Sequence, residues 1–112
     1  MGSKSYDLRK LEQECRNLIK TNDYTSLIIC YKKMFELTND YHFKQKIANI
    51  YYKVFHNIQK ASEIYKEIAP HLSEESAFWW QYFEIQTTQN KAYDAVNCIY
   101  NAIKIEINGE KK

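Results

Sequence analysis

Leu27, Ala61 and Ala95 lie 34 residues apart, and the positions around them keep the same step. Cys30 aligns with Ile64 and Cys98, Tyr31 with Tyr65 and Ile99, Met34 with Ile68 and Ala102, and Phe35 with Ala69 and Ile103. Five apolar positions therefore stay apolar through three copies, spaced so that they share one face of a helix. The turn residues Asn22, His56 and Asn90 fall in the same step. A fixed period with room for a helix pair narrows the fold sharply. Each pair can bury its face only against a neighbour, so the chain should stack into an α-solenoid.

Composition points the same way. Only two glycines and one proline occur, and both glycines lie within four residues of a chain end. Hairpins and β-bends lean on those residues, so their scarcity favours helices joined by short polar turns. The 112 residues suit a single domain over 1–112, with 45% hydrophobic content for a core and 27% charged residues for a solvated surface. No apolar run approaches the ~20 residues of a membrane span. The three cysteines, at 15, 30 and 98, fit neither a disulfide framework nor a close metal-ligand pair, which points to a reducing compartment and a cytoplasmic location.

Six helices follow from the apolar spacing and the polar breaks. The first spans 5–20, with Leu8, Leu11, Cys15, Leu18 and Ile19 on one arc, and the second spans 24–37. The third spans 41–55 behind an Asn39-Asp40 cap. The fourth closes at Ala69, before Pro70. Ser73-Glu74-Glu75 should open the fifth, with a hydroxyl at the cap and two carboxylates in the first turn. The sixth spans 91–107. The third helix is the awkward one. A strict step would turn Gln45 and Asn49 inward, whereas its apolar arc of Phe43, Ile47, Ile50, Tyr51 and Val54 favours a shift of about two residues.

This period resembles the tetratricopeptide (TPR) repeat, whose signature places a Trp early in its first helix and an Ala on the contact face of its second. Trp79 and Ala95 stand at that spacing, and Leu11 holds the Trp place in the first unit. KASEIYKEIAP (60–70), with Trp79 and Tyr82, also looks like the related half-a-TPR (HAT) repeat. The chain departs from both. Cys15, Asn49 and Phe83 replace the small residue of the TPR first helix, and Gln86 with Ser62 or Val96 fills HAT acidic and arginine positions. The resemblance implies an all-α, right-handed solenoid of six antiparallel helices in three units, about 5–38, 41–70 and 73–107.

Little in the chain suggests chemistry. His42, His56 and His71 are too far apart for a helical metal pair, and His56 reads as a turn residue. The cysteines occupy core positions. No glycine-rich loop could cradle a phosphate, and no pair of acids is set apart from the surface charges. No enzyme, metal or cofactor is expected. A net charge of +2 is too small for a nucleic-acid footprint, although tyrosines interleaved with lysines, as in YYKVF (51–55), could stack bases.

Binding remains, and SAFWWQYFEIQ (76–86) carries its clearest signal. One narrow apolar stripe cannot bury two adjacent tryptophans, because successive residues point about 100° apart. Trp79 matches the core Trp of the TPR signature. The position after it faces the concave, peptide-binding groove in such repeats, so the resemblance places Trp80 there, with Glu84 and with Arg9, Glu12 and Arg16 of the first helix. Trp80 would anchor a protein segment and the arginines would pair with its carboxylates. The opposing reading packs Trp80 between adjacent repeats. The last helix adds a second apolar stripe through Tyr93, Val96, Tyr100, Ile103 and Ile107, at the three-and-four spacing of a helix seam. Either the array continues past it, or another copy or a partner covers it. The expected function is a non-catalytic adaptor holding a protein segment. The alternatives are a structural subunit that dimerises through Tyr93, Tyr100 and Ile107, and a HAT-type scaffold of an RNA-processing complex.

Overall fold

A computed structural model describes residues 3–110 as six α-helices joined by short turns, with no strand among those residues. They are α1 (Ser3–Lys20), α2 (Tyr24–Thr38), α3 (His42–Lys53), α4 (Ile58–Ile68), α5 (Ser76–Thr88) and α6 (Ala92–Glu110), with a 3-10 turn at Ala69–His71 after α4. The substantial contacts between helices all join neighbours in sequence.

The turns show why the chain folds back where it does. Asn22, His56 and Asn90 all adopt the left-handed conformation, with φ of 57°, 54° and 59°. Asn and His enter that region more readily than most residues, which is why polar side chains occupy these places. Each following helix then begins with the same bond. The amides of Leu27, Ala61 and Ala95 donate to the carbonyls of Asp23, Asn57 and Lys91 at 3.0, 3.1 and 2.9 Å. Asp23 and Asn57 also cap their helices, accepting the amides of Ser26 and Lys60. Lys91 carries no acceptor and cannot repeat this. The left-handed residue and the opening bond thus recur at the 34-residue step, while the turns before them differ. The amides of Asp23 and Lys91 reach Leu18 and Gln86, five residues back, and that of Asn57 reaches Tyr51, six back.

Most of the periodic positions are buried or half-buried, with Ile103 the exposed exception. Leu27, Cys30 and Met34 join Cys15, Ile28, Ile47 and Ile50 in one cluster between α1, α2 and α3. Ala61, Tyr65, Ile68 and Cys98 join Ala48, Leu72, Phe78, Tyr82 and Ile85 in a second, between α3 and α6. Tyr51 and Ile64 touch both clusters and make the core continuous.

α3 is used on more than one side: Ile47 and Ile50 of the apolar arc are buried in the first cluster, while the strict step is met only in part. Gln45 and Asn49 are half-buried and face Tyr65. The Tyr65 hydroxyl lies 2.7 Å from Asn49 Oδ1 and 2.8 Å from Gln81 Oε1, and Gln45 Nε2 donates to Gln81 at 3.0 Å. This network satisfies groups that would otherwise be costly to bury. Ile47 and Ile50 join the cluster shared with α2, Phe43 packs on Tyr31, and Ala48 enters the second cluster.

Bonds between α3 and α5 occur in the same order along both helices. His42 meets Glu75 at the start, Asn49 meets Gln81 in the middle, and the Tyr52 hydroxyl meets Thr88 at the end, 3.2 Å apart. The two helices therefore run side by side in one direction, with α4 folded back between them in sequence.

Two helix starts differ from expectation. Asn39 ends α2 with φ of 56°, leaving Asp40 to accept the His42 amide at 3.0 Å. Ser73–Glu75 precedes α5, whose first turn holds no acid. Those residues are used in the turn instead. The Ser73 carbonyl accepts the Trp79 indole N–H, and Glu75 reaches His42.

His42 bridges two carboxylates, with Nδ1 2.7 Å from Asp40 and Nε2 2.8 Å from Glu75. The bond to Glu75, and then that to Asp40, raises the imidazole pKa above its ordinary value of 6.5. Burial disfavours the Asp40 carboxylate, but the His42 amide and ring outweigh it and hold its pKa below the usual range. A raised folded-state pKa stabilises the protein below the unfolded value and loses that contribution as pH rises through the folded one. The melting midpoint should therefore decline as pH climbs from 6.5 through the His42 titration. His42→Gln should flatten that part of the profile in a pH series of melts, and an unchanged slope would refute the bridge.

Candidate functional site

Phe78 and Tyr82, rather than the tryptophans, fill the centre of the second cluster. Trp79 is half-buried beside them, its ring 5.1 Å from that of Phe78 and 6.2 Å from that of Tyr82. Trp80 points elsewhere, 38% exposed, with its ring edge-on to Phe83. Its indole N–H donates to Glu106 of α6 at 2.9 Å. Trp80 thus links α5 to α6 through its N–H while over a third of its surface stays exposed.

All five residues picked from the sequence as partner contacts, Arg9, Glu12, Arg16, Trp80 and Glu84, are exposed. Arg16 is held by Gln13 Oε1 at 2.8 Å. The set is divided between α1 and α5, helices that share no substantial contact. None of the five lines any of three surface grooves, although α1 borders one of them and α5 another.

Two of those grooves share three lining positions at the 34-residue step, one of them with reversed charge. The first, of about 420 Å³, runs between α2 and α4 over α3. Phe35, Ile47, Tyr51 and Ile64 form its floor, and Lys32, Glu36 and Lys60 stand on its rim. Lys44 lies 4.7 Å above the Phe35 ring and pairs with Glu67 at 3.2 Å, while Lys60 lies over Tyr51. The second, of about 230 Å³, runs between α4 and α6 over α5. Lys66, Asp94 and Cys98 stand there one step on from Lys32, Lys60 and Ile64. Trp79 lines it, as does Gln86, which is buried with an Oε1 that meets no donor among the described residues. These grooves escaped the sequence reading because their linings come from three helices each. The step itself was the one signal that could have paired them.

The predicted stripe on α6 is open along its length. Tyr93 is 95% exposed, Val96 64%, Tyr100 63%, Ile103 42% and Ile107 46%. Equivalent positions show the contrast. Phe35, in step with Ile103, is half-buried under Tyr41 with ring centroids 5.0 Å apart, and Ile28, in step with Val96, is buried.

The thiols are poor nucleophiles. Burial pushes the Cys15 thiol up to about 12 and that of Cys98 up to about 11. Among the described residues no group of three or more His, Cys, Asp or Glu could hold a metal, and no helix is long and apolar enough to cross a membrane. The sequence matches no model of a known protein family and no curated protein.

Proposed function

We propose that this chain is a TPR-like helical-repeat module that holds a segment of another protein and carries out no chemistry of its own. The observation that carries this reading is the pair of grooves that share three lining positions at the 34-residue step. The recurring left-handed residue and opening bond support it, as does a radius of gyration of 15.7 Å, above the ~13 Å of a spherical domain this size. Helices added one after another produce such a shape, and they offer a long preformed surface that needs little reordering to bind.

The first groove suits an apolar side chain flanked by acids. Its floor is aromatic and aliphatic, and among the described residues Lys32 and Lys60 form no ion pair with an acid. In the second, a backbone amide of the bound segment would supply the donor that Gln86 lacks. The exposed set of Arg9, Glu12, Arg16, Trp80 and Glu84 is the competing surface. Selection from a random peptide library should yield acidic segments with an apolar anchor. Lys32→Glu with Lys60→Glu should weaken them about tenfold, a loss of about 1.4 kcal/mol, in fluorescence anisotropy. If Arg9→Glu with Trp80→Ala abolishes binding and the lysine pair does not, the partner lies on the α1 and α5 surface instead.

The open stripe on α6 favours a second reading, self-association of two copies. A single patch related to itself by a two-fold axis serves both copies. The stripe is nearly symmetric about Tyr100, with Tyr93 and Ile107 seven residues to either side. A head-to-tail contact would instead meet α1, whose exposed face is largely charged through Arg9, Lys10, Glu12, Glu14 and Arg16.

A further inference from the structure

Cys15 and Cys30 are separated by a turn and lie on different helices, yet their sulfur atoms are 2.7 Å apart. That is about 0.7 Å beyond the length of a disulfide bond. Both residues are buried in the seam between α1 and α2, at 5% and 2% exposure. The Cys15 thiol faces Cys30 Sγ, and the Cys30 thiol donates to the Leu11 carbonyl at 3.3 Å. Met34 Sδ, 3.5 Å from Cys15, closes the pocket. Cys98 lies in the other core cluster and has no such neighbour.

We propose that Cys15 and Cys30 are a disulfide-forming pair, which ties α1 to α2 when the chain meets a small-molecule disulfide such as oxidised glutathione.

Access comes from α1. Its substantial contact is with α2 alone, so it can leave the core with little disturbance elsewhere. In the closed protein burial keeps both thiols protonated and inert. Once α1 opens, the Cys30 thiolate attacks one sulfur of oxidised glutathione and expels a glutathione thiolate, leaving a mixed disulfide on Cys30. The Cys15 thiolate then attacks the Cys30 sulfur and expels the second glutathione. The two protons lost by the cysteines are taken up by the departing thiolates. Two protein thiols are oxidised, and one glutathione disulfide is reduced to two glutathiones. Closing α1 restores the packing, because the sulfurs start almost at bonding distance. The bond closes a loop of roughly 15 residues, which restricts the unfolded chain.

The full chain should be incubated with oxidised glutathione, both folded and during refolding from urea, and then freed of the reagent. Intact mass should fall by about 2 Da, the mass of two hydrogens. Proteolysis without reductant should release Cys15 joined to Cys30, with Cys98 still free. The oxidised monomer should keep its helical circular dichroism and melt on the order of 10 °C higher, a gain that reductant reverses. Cys15→Ala should lose all three effects. A mass still unchanged after both treatments would overturn the proposal. So would a crosslink through Cys98, or an oxidised chain that melts lower than the reduced one.

Discussion

Tyr65→Ala should destabilise the protein by about 3–5 kcal/mol, the cost of emptying a large aromatic site. Tyr65 is fully buried, with its ring centroid 5.2 Å from that of Phe78 and 5.5 Å from that of Tyr82. Burial pushes its pKa up to about 12, so the hydroxyl stays protonated and available to Asn49 and Gln81. Truncation therefore opens a cavity at the junction of α3, α4 and α5 and leaves the amides of Gln45, Asn49 and Gln81 without their shared partner. Tyr65→Phe keeps the ring and should cost about 1–3 kcal/mol, the charge for stranding polar groups. Urea unfolding of both variants separates the two contributions. Equal losses would show that the hydroxyl network, not the packing, holds the centre.

The second large effect concerns assembly. Tyr100→Glu with Ile107→Lys should convert a concentration-dependent dimer into a monomer while leaving the helical signal nearly unchanged. Both side chains lie outside the two core clusters, so the fold loses little. Contiguous apolar surface is seldom left uncovered on a soluble monomer, and the α6 stripe is five residues long. Sedimentation of the unaltered chain from low to high micromolar concentration checks the premise. A monomer throughout would remove the self-association reading.

The even-numbered helices were legible because their contact positions repeat, and repetition survives changes of residue type. Leu27 and Ala61 differ greatly in size yet occupy the same buried place. α3 was harder to read, since buried amides look like surface residues until their partner is known. Gln45 and Asn49 find their place, half-buried, only once Tyr65 and Gln81 are brought to them by other helices. Ser73 has the right chemistry for a cap, but α5 begins three residues later, at Ser76, with Glu75 in the cap position. The cysteines were recognised as core. Their contact depends on how α1 lies against α2, which no spacing in the sequence records. Trp80 is the more exposed of the two tryptophans, and its bond to Glu106 is made by a helix whose outer face reads as apolar in the sequence.

The most direct measurement is an amide chemical-shift titration of the labelled chain with a library-selected peptide. The interaction-module account predicts saturable shifts at Lys32, Phe35, Lys60 and Ile64, extending to Gln86 and its side-chain amide, with 1:1 stoichiometry. Shifts confined to the α6 stripe, or no selectable peptide at all, would contradict it.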